Sequence, residues 1–131
     1  MAETQPIALP IQTFRFSHVV ALWGRERAEH EVTIARILAK AVICDGLRLL
    51  SIGERGVQSP DTLGYPYVGY TARPNGTMSI MRASALEHLF AIVERGAEPV
   101  LEKLHEEFID QIDFRTWLLS TDVPLPRFWF A

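Results

Sequence analysis

Phe128, Trp129 and Phe130 stand side by side in the closing segment PLPRFWFA. Domains usually carry loose, polar residues at such a place. Burying one large apolar side chain stabilises by roughly 1.5–3 kcal/mol, and three exposed rings would form an adhesive patch. Any fold of this chain must therefore provide a dock for the tail, on its own core or on another chain.

The 131 residues suit one domain with a core that needs no covalent staples. Residues 120–131 read as the docking tail, and residues 1–13 as an irregular arm. No run approaches the roughly 18 apolar residues of a membrane span. The opening MAETQPIALPIQ has neither the basic nor the continuous apolar stretch of a secretory leader. Cys44 is the single cysteine, and it lies in the apolar run AKAVIC. It reads as a small buried hydrophobe in a reducing, cytoplasmic setting.

Ser17 is positioned as an N-cap for a helix running on through HVVALWGRERAEHE, with Val19, Val20, Leu22 and Trp23 on its apolar face. Val32, Ala35, Leu38, Ala39 and Val42 continue the helical period, and Asp45-Gly46 marks a stop. Gly24 and the polar AEHE leave open whether this is one bent helix or two. Leu47 to Ile52 reads as a short strand. Asn75-Gly76, between the β-prone runs Tyr65–Thr71 and Thr77–Met81, is a strong hairpin signal because both residues tolerate positive φ.

Helical spacing returns in RASALEHLFAIVERG, with Leu86, Leu89, Phe90 and Val93 on one face and Gly96 as the stop. Pro99 suits the first turn of a further helix carrying Val100, Leu101, Leu104 and Phe108. Asp113 is placed to cap a last helix with Phe114, Trp117 and Leu118. The expected fold class is α+β: helices at both ends flanking a small antiparallel sheet with an Asn-Gly hairpin, in one domain.

Residues 66–131 carry nine acidic and six basic side chains. Glu94, Glu98, Glu102, Glu106 and Asp110 recur every four residues, which in a continuous helix makes an acidic stripe. Such a face is solvated, or docks a basic partner, and repels phosphates. Arg36, Lys40 and Arg48, with Arg25 and Arg27 nearby, form the basic alternative. Together with the Asn75-Gly76 hairpin tip they would serve a nucleic-acid binder, although Glu26, Glu29 and Glu31 are interleaved among them.

The succession of paired helices, short strand, Asn75-Gly76 hairpin and then Arg82, Leu86 and Leu89 resembles an excisionase-type winged helix, which implies a DNA-binding wing. It departs from that pattern in lacking a helix-turn-helix turn and in a wing poor in Lys and Arg. The segments from Trp23-Gly24-Arg25-Glu26-Arg27 and around Pro126-Arg127-Phe128-Trp129 are similar to small, functionally uncharacterised bacterial proteins. That resemblance implies a bacterial cytoplasmic protein and transfers no site residue. Arg82 and His88, with five residues between them, match the Arg-x(4–6)-His spacing of HEPN-type ribonucleases, which implies phosphodiester chemistry on RNA.

Other chemistry is thin. Glu26, Glu29 and His30 could share a helix face, but Ile34 stands where a zincin motif needs its second histidine. There is no phosphate-cradling glycine loop and no nucleophile elbow. The expectation is a protein without metal or cofactor and more in keeping with binding than with catalysis. The leading reading is a protein-interaction or assembly module that self-associates, or takes another protein, through Trp117, Arg127, Phe128, Trp129 and Phe130, since aromatics and Arg dominate binding hot spots. The nucleic-acid binder is the alternative, and the ribonuclease the third.

Overall fold

The computed structural model describes residues 13–53, 56–57, 67–72, 76 and 78–130. Strand β1 (Thr13–Arg15) leads directly into helix α1 (Phe16–Arg27), whose N-cap is Arg15, with no side-chain cap. The expected cap Ser17 lies inside the first turn instead, because Phe16 is drawn into the core and pulls the helix start forward. Phe16, Val19, Val20 and Trp23 form the buried stripe at spacings of three and four.

The question of one helix or two is settled by Ala28. It takes a left-handed conformation at φ 56° and returns its N–H to α1, while the Glu29 N–H bonds the Gly24 carbonyl at 2.9 Å. His30 then caps α2 (Glu31–Cys44), its Nδ1 accepting from the Val32 N–H at 3.1 Å. The polar AEHE segment is thus a cap-to-cap turn. Ile34, Ala35, Leu38, Ala39, Ala41 and Val42 face inward, and Cys44, expected to be buried, is exposed where the stripe runs out at Ile43.

Four more segments build the sheet: β2 (Leu50–Gly53), β4 (Tyr67–Tyr70), β5 (Ser79–Arg82) and β6 (Glu107–Asp110), with the short β3 (Gly56–Val57) folded back on β2. The strand order is β1-β6-β2-β5-β4. Neighbours are antiparallel except β2 and β5, which run parallel with Leu50 opposite Ile80, so the sheet is mixed. β4 and β5 pair from Tyr67–Arg82 to Tyr70–Ser79, as two β-prone arms should. Asn75 lies outside the described residues, while Gly76 is a bend beyond the paired arms.

Helix α3 (Ala83–Arg95) follows β5 without a loop and stops at Gly96, φ 68°. The helix expected from Pro99 does not form. Leu101–Leu104 is a single 3-10 turn, and Phe108 belongs to β6. Leu101, Leu104 and Phe108 fit a helical period, but Glu107 and Ile109 alternate inward with Phe108 and Asp110, and pairing with both β1 and β2 satisfies that backbone. The acidic stripe is broken with it: Glu94 is helical, Glu102 lies in the 3-10 turn and Asp110 ends a strand.

Asp110, rather than Asp113, caps α4 (Gln111–Leu119), accepting from the N–H groups of Ile112 and Asp113. The chain closes with one helical turn, α5 (Arg127–Phe130). α2 packs between α1 and α3, and α5 lies on α1. A single core holds Trp23, Leu38, Leu49, Met81, Leu89, Ile109, Phe114 and Trp129. The class is α+β in one compact domain, with helices at both ends. No helix among the described residues is long and apolar enough to cross a membrane.

Candidate functional site

The aromatic tail docks on the chain's own core. Trp129 is 8 % exposed and meets Phe14 edge-on at 4.7 Å and Phe114 at 5.5 Å. Phe130 stacks on Phe114, and Phe114 and Trp117 both meet Trp23 at right angles. Glu26 on α1 holds the start of α5, its two carboxylate oxygens each accepting one backbone N–H, from Arg127 and Phe128, at 2.9 Å. Trp117 and Trp129 are therefore core residues of this chain. Arg127 is exposed, and Phe128 and Phe130 are half-buried, so only these present surface to a partner.

Beside the tail, α4 turns a different face outward. Phe114, Trp117 and Leu118 are buried, whereas Ile112 is 72 % and Leu119 64 % exposed, with Arg115 and Thr116 exposed between them. Residues seven apart share a helix face. The side chain of Gln111 donates to the Trp129 carbonyl at 2.9 Å, which joins the start of this face to α5. Ile112 and Leu119 stand seven apart in the sequence, the spacing of one helix face, and sequence reasoning missed them.

The basic residues proposed for nucleic acid are largely spent on the fold. Arg48 pairs with Asp113 at 2.8 Å, tying the approach to β2 to α4. Arg36 donates to the Ala97 carbonyl at 3.1 Å and faces Glu98 at 3.7 Å, tying α2 to the segment after α3. Arg27 pairs with Glu29 at 2.8 Å and lies over the Trp23 ring. Lys40 is exposed, without an ion pair among the described residues. Glu26 and His30 are committed to caps, and no three His, Cys, Asp or Glu side chains among the described residues are grouped to hold a metal ion.

A second constellation is built where β5 meets α3. In the order β6-β2-β5, Arg82 at the end of β5 reaches across β2 to Glu107 at the start of β6. Its Nε donates to one carboxylate oxygen at 3.0 Å and its Nη2 to the other at 2.8 Å. The hydroxyl of Ser51, opposite Glu107 in the ladder, donates to the same carboxylate at 2.9 Å. Nη2 also donates to the Lys103 carbonyl at 3.0 Å. Glu107 is completely buried. Its hydrogen bonds hold the guanidinium charged, raising the Arg82 pKa against the opposing effect of burial. Sequence reasoning singled out Arg82 and missed Glu107 and Ser51, whose separations of 25 and 56 residues leave no local signal.

His88 lies on the same helix, 7 % exposed. Its Nε2 accepts the Val100 N–H at 2.9 Å, so the neutral ring carries its proton on Nδ1. Burial, and then the charge of Lys103, push its pKa below the ordinary histidine value. Arg82 and His88 both line an open depression of about 450 Å³ between α3 and the 3-10 turn, together with Ser84 and Arg95 from α3 and Lys103 from the turn. The structure thus brings the Arg-x(4–6)-His pair together while occupying the lone pair that a general base would need.

These features define an α+β domain with an arginine paired to a buried glutamate, a depression lined by side chains of both charges and an exposed apolar helix face. Compared with known proteins, the chain matches no family model, no curated protein and no solved structure.

Proposed function

We propose that this protein is a non-enzymatic interaction module that self-associates through the outer face of α4 and the adjoining edge of α5. The observation that carries the reading is the exposure of Ile112 and Leu119 on one face of a nine-residue helix whose other face is fully used by the core. The face is self-complementary. Two copies related by a two-fold axis near Thr116 place Ile112 of each against Leu119 of the other. Arg127, on the adjoining edge of α5, supplies the arginine common at such contacts. Catalysis by Arg82 and His88 is disfavoured, because Glu107 holds the arginine and the Val100 N–H occupies the histidine's only acceptor.

Magnitudes set the strength. Four such side chains, each contributing about 1.5–3 kcal/mol when fully covered, act against an association cost of about 4–15 kcal/mol. The most favourable pairing of these figures leaves about 8 kcal/mol, a Kd of roughly micromolar, so the dimer is weak and is sought from roughly micromolar to millimolar protein. Light scattering over that concentration range, on the intact chain and on Ile112→Asp with Leu119→Asp, tests it. Concentration-dependent dimer mass that disappears in the double variant, with circular dichroism unchanged, is the expected result. A monomer at every concentration overturns self-association.

A further inference from the structure

The depression beside α3 is furnished with donors that cannot turn away. Arg82 uses Nε and both Nη2 hydrogens on Glu107 and the Lys103 carbonyl, which leaves its two Nη1 hydrogens without a partner among the described residues. The bidentate pair fixes the plane of the guanidinium, so that free edge has a set direction. His88 is fixed in the same manner by Val100, and its Nδ1–H has no partner among the described residues. A pinned guanidinium edge and an imidazole N–H on residues that line one depression are matched to the oxygens of an anionic group.

The charges around these donors decide which anion. Arg95 and Lys103 line the depression without ion pairs among the described residues, and so do the carboxylates of Glu87 and Glu102. Arg82 is already balanced by Glu107, with Glu106 also 3.9 Å away. A phosphate dianion brought here meets two free carboxylates that it cannot satisfy. A ligand carrying both signs meets partners for each. The volume, about 450 Å³, falls within the roughly 300–1,000 Å³ of small-molecule sites.

We propose that this depression binds a small zwitterion of the α-amino acid class, with its carboxylate on the free edge of Arg82 and the Nδ1–H of His88 and its ammonium toward Glu87 and Glu102. The site is separate from the α4 face, so binding does not depend on self-association, and Ile112→Asp leaves it intact.

The test is NMR titration of the ¹⁵N-labelled full chain with each free amino acid in turn, and with acetate and inorganic phosphate as single-sign probes. At least one amino acid is expected to shift the α3 amides and the His88 ring signals, with acetate and phosphate each weaker. Glu87 and Glu102 are exposed, so Glu87→Gln with Glu102→Gln folds normally. It weakens the amino acid by about five-fold, the size of one exposed ion pair, and leaves acetate unchanged or tighter. The proposal is overturned if no amino acid shifts these signals, if phosphate binds more tightly than every amino acid, or if the double variant leaves amino-acid binding unchanged.

Discussion

Arg82 and Glu107 grip each other through two hydrogen bonds of 3.0 and 2.8 Å across an intervening strand, and the glutamate has no exposure to solvent. The pair fastens β5 to β6 over Ser51 of β2, joining the last strand before α3 to the strand before α4. It supports both the sheet and the depression.

Breaking one side of that pair should be far worse than removing both. Glu107→Leu leaves the Arg82 guanidinium without its buried partner, and Arg82→Met strands a buried carboxylate. Each is expected to cost about 3–5 kcal/mol, whereas the double variant recovers a large part of the loss. Urea denaturation of the three variants gives the coupling. Additive losses would show that the two residues act independently.

The latch on the tail should be measurable on its own. Glu26→Ala frees the N–H groups of Arg127 and Phe128, at a cost of about 1 kcal/mol by analogy with a lost N-cap. That corresponds to a few degrees in Tm. Hydrogen exchange at these two amides should accelerate while α2 stays protected. Unchanged exchange at Arg127 and Phe128 would rule out a latch.

Trp129 should behave as core. Trp129→Ala removes a ring that contacts Phe14, Phe114, Phe128 and Phe130, and is expected to destabilise by about 3–5 kcal/mol. A thermal melt is sufficient to detect it. A loss below about 1 kcal/mol, the scale of surface substitutions, would place the ring outside the core.

His88 introduces a pH dependence of definite sign. Burial and Lys103 hold its folded pKa below the ordinary value of about 6.5. The unfolded chain therefore takes up a proton as pH falls through about 6.5, while the folded chain stays neutral at His88. Stability is full above that pH and declines below it, until the folded pKa is reached. The urea midpoint of the intact chain should fall more steeply between about pH 7 and pH 5 than that of His88→Gln. Parallel profiles for the two proteins would exclude the effect.

Much of the secondary structure was legible locally. The stripe Val19, Val20, Trp23 and the stripe Leu86, Leu89, Val93 each follow the helical period, and each lies on the inward side of its helix, with Leu86 and Val93 half-buried. Gly96 stops its helix with a positive φ that glycine adopts without strain. The segment from Val100 to Phe108 misled because three apolar residues at spacings of three and four are compatible with a helix. What makes it a strand is the pairing of Glu107–Asp110 with β1 and β2. The cap on α4 moved from Asp113 to Asp110 for the same reason: the helix begins where that strand ends.

By itself, the sequence determined the α+β class, the positions of most helices and the need to dock Phe128, Trp129 and Phe130, since these rest on periodicity, glycine conformation and hydrophobic burial within short windows. Only the tertiary structure decided where the tail docks, that β2 and β5 run parallel, and that Arg82, Ser51 and Glu107 meet. Strand order brings those three together from separations of 25 and 56 residues. A buried carboxylate's partner is set by that geometry, and no local pattern encodes it.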